Sequence, residues 1–69
     1  MLKEQIDNSF TYHAPKEGQP AKYEILRTEG KALAVAINTL CPESREKSLA
    51  ITKLEEAIMW ANKAIACNE

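Results

Sequence analysis

The sequence predicts an all-α fold, with a short N-terminal helix followed by a long antiparallel helical hairpin. Two observations predict the hairpin. Apolar residues recur at steps of three and four along two long segments, which is the spacing of one helix face. A break at Cys41-Pro42 leaves only a few residues between these segments, so the second helix must return antiparallel to the first. The chain has 69 residues, and we expect a single domain over residues 1–69.

The N-terminal segment predicts a short helix and then a loop. Residues Leu2–Asn8 could form a helix, but one so short is not stable alone and has to dock on another surface. The segment Phe10–Gln19 contains proline and glycine, which predict a loop. Phe10 and Tyr12 are unusual in such a connector, and at least one of them is expected to pack against something.

Two long helices form the predicted hairpin. The first runs from Pro20, which suits a first helical position, to Leu40. The second runs from Ser44 to about Asn68, with Pro42 placed as another first helical residue. Each has a regular apolar face. The predicted faces are Tyr23, Leu26, Gly30, Leu33, Ile37 and Leu40 on the first helix, and Ile51, Leu54, Ile58, Ala61 and Ile65 on the second.

A chain this short buries little of its surface and is marginally stable by itself. On one helix Cys41 and Cys67 would lie roughly 39 Å apart, whereas a disulfide needs Cα atoms within about 7 Å. Free thiols are therefore expected. His13 is the only histidine, and no pair of cysteines or histidines has metal-ligand spacing. With no metal or cofactor expected, we predict a homo-oligomer, held partly by the last helix with Trp60 as an anchor.

The charge balance restricts the partners. The net charge is −1, from nine basic and ten acidic residues. A domain that binds DNA or RNA polymers usually has a large positive excess, so neither polymer is expected. No signal peptide is recognisable, and no apolar run is long enough to cross a bilayer. We expect a soluble cytoplasmic protein without a membrane partner.

One candidate site combines an aromatic residue with two cations. Tyr12 could stack on a nucleobase, a contact worth roughly 1–3 kcal/mol. Arg27 can pair with a phosphate through two hydrogen bonds, and Lys31 lies four residues on, on the same helix face. These groups suit a small cyclic nucleotide. From the residues alone, the simpler interpretation is favoured, in which Tyr12 packs on the hairpin and Arg27 pairs with a surface carboxylate.

A second candidate site is a row of hydroxyl groups near the start of the last helix. Ser44, Ser48 and Thr52 recur every four residues, with Arg45 beside them. Such hydroxyls could hydrogen-bond base edges or phosphates where subunits meet. Taken without other information, a solvated helix face is the favoured interpretation.

An enzyme is not predicted. His13 and the cysteines are the only possible partners for nucleophilic catalysis, and nothing in the sequence brings them together. The neighbouring Glu55 and Glu56 point in different directions on a helix. Catalysis needs groups that converge on one point, and we therefore predict that the protein is not an enzyme.

Two long stretches of the sequence resemble a known family. They are FTYHAPKEGQPAKYEILR, from Phe10 to Arg27, and CPESREKSLAITKLEEAIMWANKAIACNE, from Cys41 to Glu69. Both resemble the hairpin domain of the anti-CBASS protein 2 family, which is similar to part of Thoeris anti-defence protein 1. The stretches FTYH, SREKSLA, TKLEEA and WAN carry most of the similarity.

The resemblance implies a phage protein that sequesters cyclic nucleotide signals of CBASS immunity, without degrading them, in the cytoplasm of the infected bacterial host. It implies a compact hexamer, with cyclic dinucleotides such as cyclic GMP-AMP bound between subunits and cyclic trinucleotides at a separate site. The stacking tyrosine of the family corresponds to Tyr12 and its phosphate-binding cation to Arg27. The hydroxyls of the trinucleotide site correspond to Ser48 and Thr52.

Three alternatives remain open at this point. The Thoeris relative is longer than this chain, which favours the anti-CBASS assignment. The hairpin does not define the ligand range, however, so a cyclic ADP-ribose-type Thoeris signal stays open as the ligand. The chain could instead be a structural protein that binds a protein partner through Met59 and Trp60. An enzyme that cleaves cyclic nucleotides is the third, and it lacks metal ligands and a placed general base.

Overall fold

The computed structural model describes residues 3–69, and this part of the chain is all-α. Its three helices are α1 (Lys3–Phe10), α2 (Gln19–Leu40) and α3 (Arg45–Asn68). Leu2, where the sequence placed the start of the first helix, lies outside the described residues. Helix α1 continues to Phe10, two residues beyond the predicted end. The bounds predicted for the long helices differ from the observed ones by a single residue at each start.

Helices α2 and α3 pack as the predicted antiparallel hairpin. The helices approach each other closely at Gly30, where an added Cβ would lie 2.9 Å from Cγ1 of Ile58. A larger residue at this point would force the Ile58 side chain or the helices to shift. The absence of a side chain at Gly30 therefore explains why a residue of low helix propensity is placed inside α2.

The predicted face of α3 is confirmed, since its five apolar residues are all half-buried. The predicted face of α2 is confirmed at Tyr23, Leu26, Gly30 and Ile37, which are half-buried, and is wrong at Leu33 and Leu40. Leu33 and Leu40 are 52% and 80% exposed, whereas Ala34 is half-buried instead. A straight helix has 3.6 residues per turn and drifts by about 20° from a strict seven-residue repeat. The face in contact with α3 therefore moves from the Leu33 row to the Ala34 row.

The hairpin is a flat layer without an apolar core of its own. Its extents are 44 × 30 × 12 Å, and no apolar residue within residues 3–69 is buried. Many large apolar side chains are instead open to solvent. They are Ile6, Phe10, Tyr12, Ile25, Leu33, Val35, Leu40, Leu49, Met59 and Trp60.

The ends of the long helices are fixed by specific caps. Ser44 precedes α3, and its Oγ accepts a hydrogen bond from the backbone N–H of Lys47 at 3.1 Å, which is a side-chain N-cap. Pro42 therefore lies in the turn before the helix, and its predicted placement as a first helical residue is wrong. Helix α2 begins differently, because Gly18 precedes it with φ 85°, a conformation that glycine adopts without strain.

Helix α1 docks on the C-terminal end of α3 through polar contacts. The side-chain amide of Asn8 donates to the carbonyl of Cys67 at 3.2 Å. His13 Nε2 donates to the carbonyl of Asn8 at 2.8 Å, which holds the start of the loop near the same place. Cys41 and Cys67 are both free thiols.

Neither a membrane span nor a metal-binding cluster occurs in the part of the chain that the structure describes. No helix there combines the length and apolar character that crossing a bilayer requires. No group of three or more histidine, cysteine, aspartate or glutamate side chains is arranged to hold a metal ion there.

Candidate ligand-binding surfaces

Arg27 and Lys31 line a groove between α2 and α3. They lie one turn apart on α2, as their spacing predicted, and both are exposed. The small residues Gly30 and Ala34 leave room between the two helices. The floor and far wall of the groove consist mainly of apolar residues of α3. The groove is lined by Arg27, Gly30, Lys31, Ala34, Ile51, Leu54, Glu55 and Ile58.

The two cations of this groove have no acidic partner within residues 3–69. The ion pairs found there are Lys22–Glu69, Lys47–Glu43 and Lys53–Glu56. The simpler interpretation, in which Arg27 pairs with a surface carboxylate, is therefore wrong. Arg27 and Lys31 also line a shallower concave surface with Glu24, Thr28 and Val35. Both residues therefore line two concave surfaces, and their charged groups remain available to an anion.

Tyr12 lies in the loop between α1 and α2 and is 83% exposed. Phe10, at the end of α1, is 85% exposed. The expectation that one of these two aromatic residues packs against the hairpin is therefore wrong for a single copy of the chain. Tyr12 lines neither of the concave surfaces that Arg27 and Lys31 line. One copy of the chain does not bring the three residues into one groove.

The hydroxyl row lies at the start of α3, where its members differ in availability. Ser44 Oγ accepts from Lys47 and also donates to the carbonyl of Pro42 at 3.0 Å, so this hydroxyl takes part in the helix cap. Ser48 and Thr52 lie within the helix and are exposed, as is Arg45. The arrangement leaves two hydroxyls and one guanidinium open to a ligand, next to one hydroxyl with a structural role.

Comparison with known families identifies the fold. The family described as the Acb2/Tad1 hairpin domain matches residues 2–66, nearly the whole chain. The chain belongs to this family. Searches of curated proteins and of solved structures found no significant match. The Acb2/Tad1 hairpin domains are phage anti-defence proteins that act by binding, and the resemblance seen in the sequence is thereby confirmed.

Two polar residues of this Acb2/Tad1 hairpin are buried, and their burial was not predicted from the sequence. Gln19 is 3% exposed and Lys47 is 9% exposed. Each occupies the first inward-facing position of its helix, four residues before Tyr23 and Ile51 respectively. Polar residues are rarely buried without partners, so composition gave no reason to place them inside. Their position four residues before the first apolar residue of each predicted helix face was the signal that could have predicted their burial.

A third concave surface lies between α1 and α3 of the hairpin domain. It is lined by Asn8, Trp60, Lys63 and Cys67, among others. The Nζ of Lys63 lies 5.6 Å from the centre of the Trp60 ring. This distance is that of a cation–π contact. Trp60 remains 55% exposed, and its predicted role as an anchor between subunits stays a prediction.

One carboxylate has a shifted pKa, and it lies at the end of the hairpin where α2 begins. Lys22 Nζ donates to both carboxylate oxygens of Glu69 at 2.8 Å. This hydrogen bond is the main reason that the pKa of Glu69 is lowered from its ordinary value of 4.5, and the Lys22 charge adds to the effect. The contact joins the start of α2 to the end of α3.

Proposed function

We propose that this Acb2/Tad1 hairpin domain sequesters the cyclic di- and trinucleotide signals of CBASS immunity in the infected bacterium without degrading them. The observation that carries the proposal is that two cations without an acidic partner, Arg27 and Lys31, lie beside a largely apolar groove. A cyclic dinucleotide presents two phosphate charges and two flat bases. Cations at the rim of an apolar groove match both features.

The dinucleotide site needs an aromatic surface as well as the cations. Tyr12 is exposed and does not share a groove with Arg27 in one copy of the chain. A pocket that uses both residues therefore draws them from different copies. A two-fold axis between two copies would repeat the same contacts on both halves of a two-fold ligand.

Self-assembly is part of the same proposal. The flat hairpin buries no apolar side chain within residues 3–69 and leaves large ones exposed on both long helices. Exposed apolar surface of this extent usually marks an interface. We expect a homohexamer, and sedimentation equilibrium at several protein concentrations measures its mass. A stable monomer at micromolar concentration would contradict the expectation.

The trinucleotide site is assigned to the start of α3. Ser48 and Thr52 supply exposed hydroxyls, Arg45 supplies a charge, and Ser44 fixes the helix end beside them. Because this region lies at the opposite end of the hairpin from Tyr12, the two ligand classes are expected to bind independently.

The deciding experiment is a calorimetric titration with cyclic GMP-AMP, followed by heat release and chromatography of the ligand. Binding at about one ligand per two subunits, with the ligand recovered intact, supports sequestration. Recovery of a cleaved ligand would show an enzyme instead. A failure to bind cyclic dinucleotides, cyclic trinucleotides and cyclic ADP-ribose-type ligands would leave only the structural role in which Met59 and Trp60 contact a protein partner.

Variants separate the two sites. Tyr12→Ala should weaken cyclic GMP-AMP binding by about tenfold or more, because base stacking is lost. Tyr12→Phe keeps the ring and should bind normally, which makes it the matched control. Ser48→Leu or Thr52→Leu should block a cyclic trinucleotide alone. Loss of both ligands in either leucine variant would contradict separate sites.

A cyclic ADP-ribose-type ligand is the second candidate, because the matching family joins the Acb2 and Tad1 hairpins in one description. Such a ligand also carries phosphates and a base, so Arg27 and Tyr12 would suit it. Competition resolves the question. Displacement of bound cyclic GMP-AMP by the ADP-ribose derivative would place both ligands in one pocket.

A further inference from the structure

Lys47 connects three parts of the structure at the end of the hairpin where α2 turns into α3. Its Nζ donates to the carbonyl of Asn38 at 3.0 Å, in the last turn of α2. The same Nζ pairs with the carboxylate of Glu43 in the connection. Its backbone N–H donates to Ser44 Oγ. A cation at the C-terminal end of a helix is also favoured by the helix dipole.

Gln19 makes corresponding contacts at the opposite end of the hairpin, where α2 begins. Its Nε2 donates to the carbonyl of Ile65 at 3.5 Å, in the last turns of α3. Its Oε1 accepts from the backbone N–H of Lys16 at 2.9 Å, in the loop that precedes α2. Like Lys47, Gln19 is the first inward-facing residue of its helix, and it links the opposite helix to the connection before its own.

Each of these residues lies next to one candidate site. Gln19 holds Lys16, which is four residues from Tyr12 in the same loop. The Lys47 side chain ties the first turn of α3, which carries Arg45 and Ser48, to the end of α2 and to the connection before Ser44. These two are the buried residues of the described chain, so each end of the hairpin has one internal anchor.

We propose that Gln19 and Lys47 are positioning residues, and that each sets the geometry of one ligand site. Gln19 orients the Tyr12 loop for cyclic dinucleotides, and Lys47 orients the start of α3 for cyclic trinucleotides. This inference rests on the proposed function. It adds that affinity for the two ligand classes is controlled separately, by residues that touch neither ligand.

The test uses the full chain with Gln19→Met and Lys47→Met. Methionine keeps an unbranched side chain and removes the polar group. Each protein is titrated with cyclic GMP-AMP and with cyclic tri-adenylate. Lys47→Met should weaken cyclic tri-adenylate binding by about tenfold, as expected for one lost anchor, and leave cyclic GMP-AMP binding unchanged. Gln19→Met should do the reverse. Lys53→Met, an exposed lysine of the same helix, serves as the control and should bind both ligands normally.

Two further measurements separate positioning from general destabilisation. Lys47→Arg keeps a donor that can reach the Asn38 carbonyl, and it should restore cyclic tri-adenylate binding, whereas a role in fold stability alone would lower both affinities together. Hydrogen exchange should rise most at residues 41–48 in Lys47→Met and most at residues 11–19 in Gln19→Met. If Lys47→Met does not fold, Lys47→Gln replaces it.

The outcomes are distinct. Equal loss of both ligands, or no loss in either variant, would overturn the positioning roles while the wild-type protein still binds. If the wild-type protein binds neither ligand, the proposed function is wrong and the positioning roles in capture fall with it.

Discussion

At each end of the hairpin a buried polar residue links the two long helices, but the chemistry of the two residues differs. At the turn end, residues 41–44 join the helices, Ser44 caps α3 and a charged residue, Lys47, is buried against α2. At the loop end, residues 11–18 precede α2, Gly18 replaces a side-chain cap, and the buried residue is the neutral Gln19. The turn end is short and its buried link is a charge. The loop end is longer and its buried link is an amide, with the exposed Lys22–Glu69 ion pair beside it.

The difference matches what each end is expected to do. A short, capped connection fixes hydroxyls on a regular helix face, which suits hydrogen bonding to base edges. A longer loop with few buried contacts opens more easily, which suits an exposed aromatic ring such as Tyr12 that closes over a ligand. The comparison predicts that the turn end is the more stable of the two.

The largest loss of stability is expected from a substitution at Gly30, midway between the two ends of the hairpin, and both ends should be affected by it. Gly30→Val should lower the free energy of unfolding by about 2–3 kcal/mol, because the new side chain overlaps Ile58, whose Cγ1 would lie 2.9 Å from a Cβ. Urea denaturation monitored by circular dichroism measures the loss. Hydrogen exchange should increase at both ends alike.

A second substitution tests the cause of that loss. Ile58→Ala makes room opposite residue 30, so the double variant Gly30→Val with Ile58→Ala should be more stable than the sum of the single effects predicts. Additive effects would show that the valine acts through something other than contact with Ile58.

The second prediction compares the two buried anchors directly. Lys47→Met should destabilise the hairpin by about 2 kcal/mol, because a charge-assisted hydrogen bond is lost, and Gln19→Met by about 1 kcal/mol, because its bonds are neutral. The bond from Gln19 to Ile65 is also longer, 3.5 Å against 3.0 Å for Lys47 to Asn38. Thermal unfolding of both variants measures the order, and a larger loss for Gln19→Met would reverse the comparison.

The helices were predictable because their signals are local. Residues such as Pro42 end a helix. The spacing of apolar residues identifies a helix face without knowledge of the helix that packs against it. The face of α2 was predicted less well, because Leu33 is larger than Ala34 and counts more strongly in any apolar pattern. Only the packing against α3, set by Gly30, decides that Ala34 points inward.

The candidate sites were predictable only in part, for a related reason. Arg27 and Lys31 share a face because four residues make one turn, and a helix guarantees that relation. The position of Tyr12 depends on the path of a loop, which no residue spacing defines. The burial of Lys47 was not predicted, because the Asn38 carbonyl to which it donates is a backbone group that the sequence pattern does not reveal.

The third prediction concerns the two N-caps. Ser44→Ala removes the acceptor for Lys47 N–H and should cost about 1 kcal/mol. Gly18→Ala should cost a similar amount, about 1–2 kcal/mol, because alanine is strained at φ 85°. Ser48→Ala, inside the same helix as the Ser44 cap, is the control and should change stability little. Chemical denaturation of all three variants distinguishes a cap from an ordinary surface serine.

The smallest effect is expected from the ion pair at the loop end. The Lys22 hydrogen bond lowers the pKa of Glu69 in the folded protein, so this pair stabilises the fold above the ordinary pKa of 4.5 and the contribution is lost as the pH falls through the lowered value. The contribution should be small because both side chains are largely exposed. In Lys22→Gln, NMR titration should show the pKa of Glu69 returning toward its ordinary value, and the melting temperature should fall less on acidification than in the wild type. An unchanged Glu69 pKa in Lys22→Gln would contradict the main role of Lys22 and would assign the lowered pKa to the Gln19 hydrogen bond and the Lys16 charge instead.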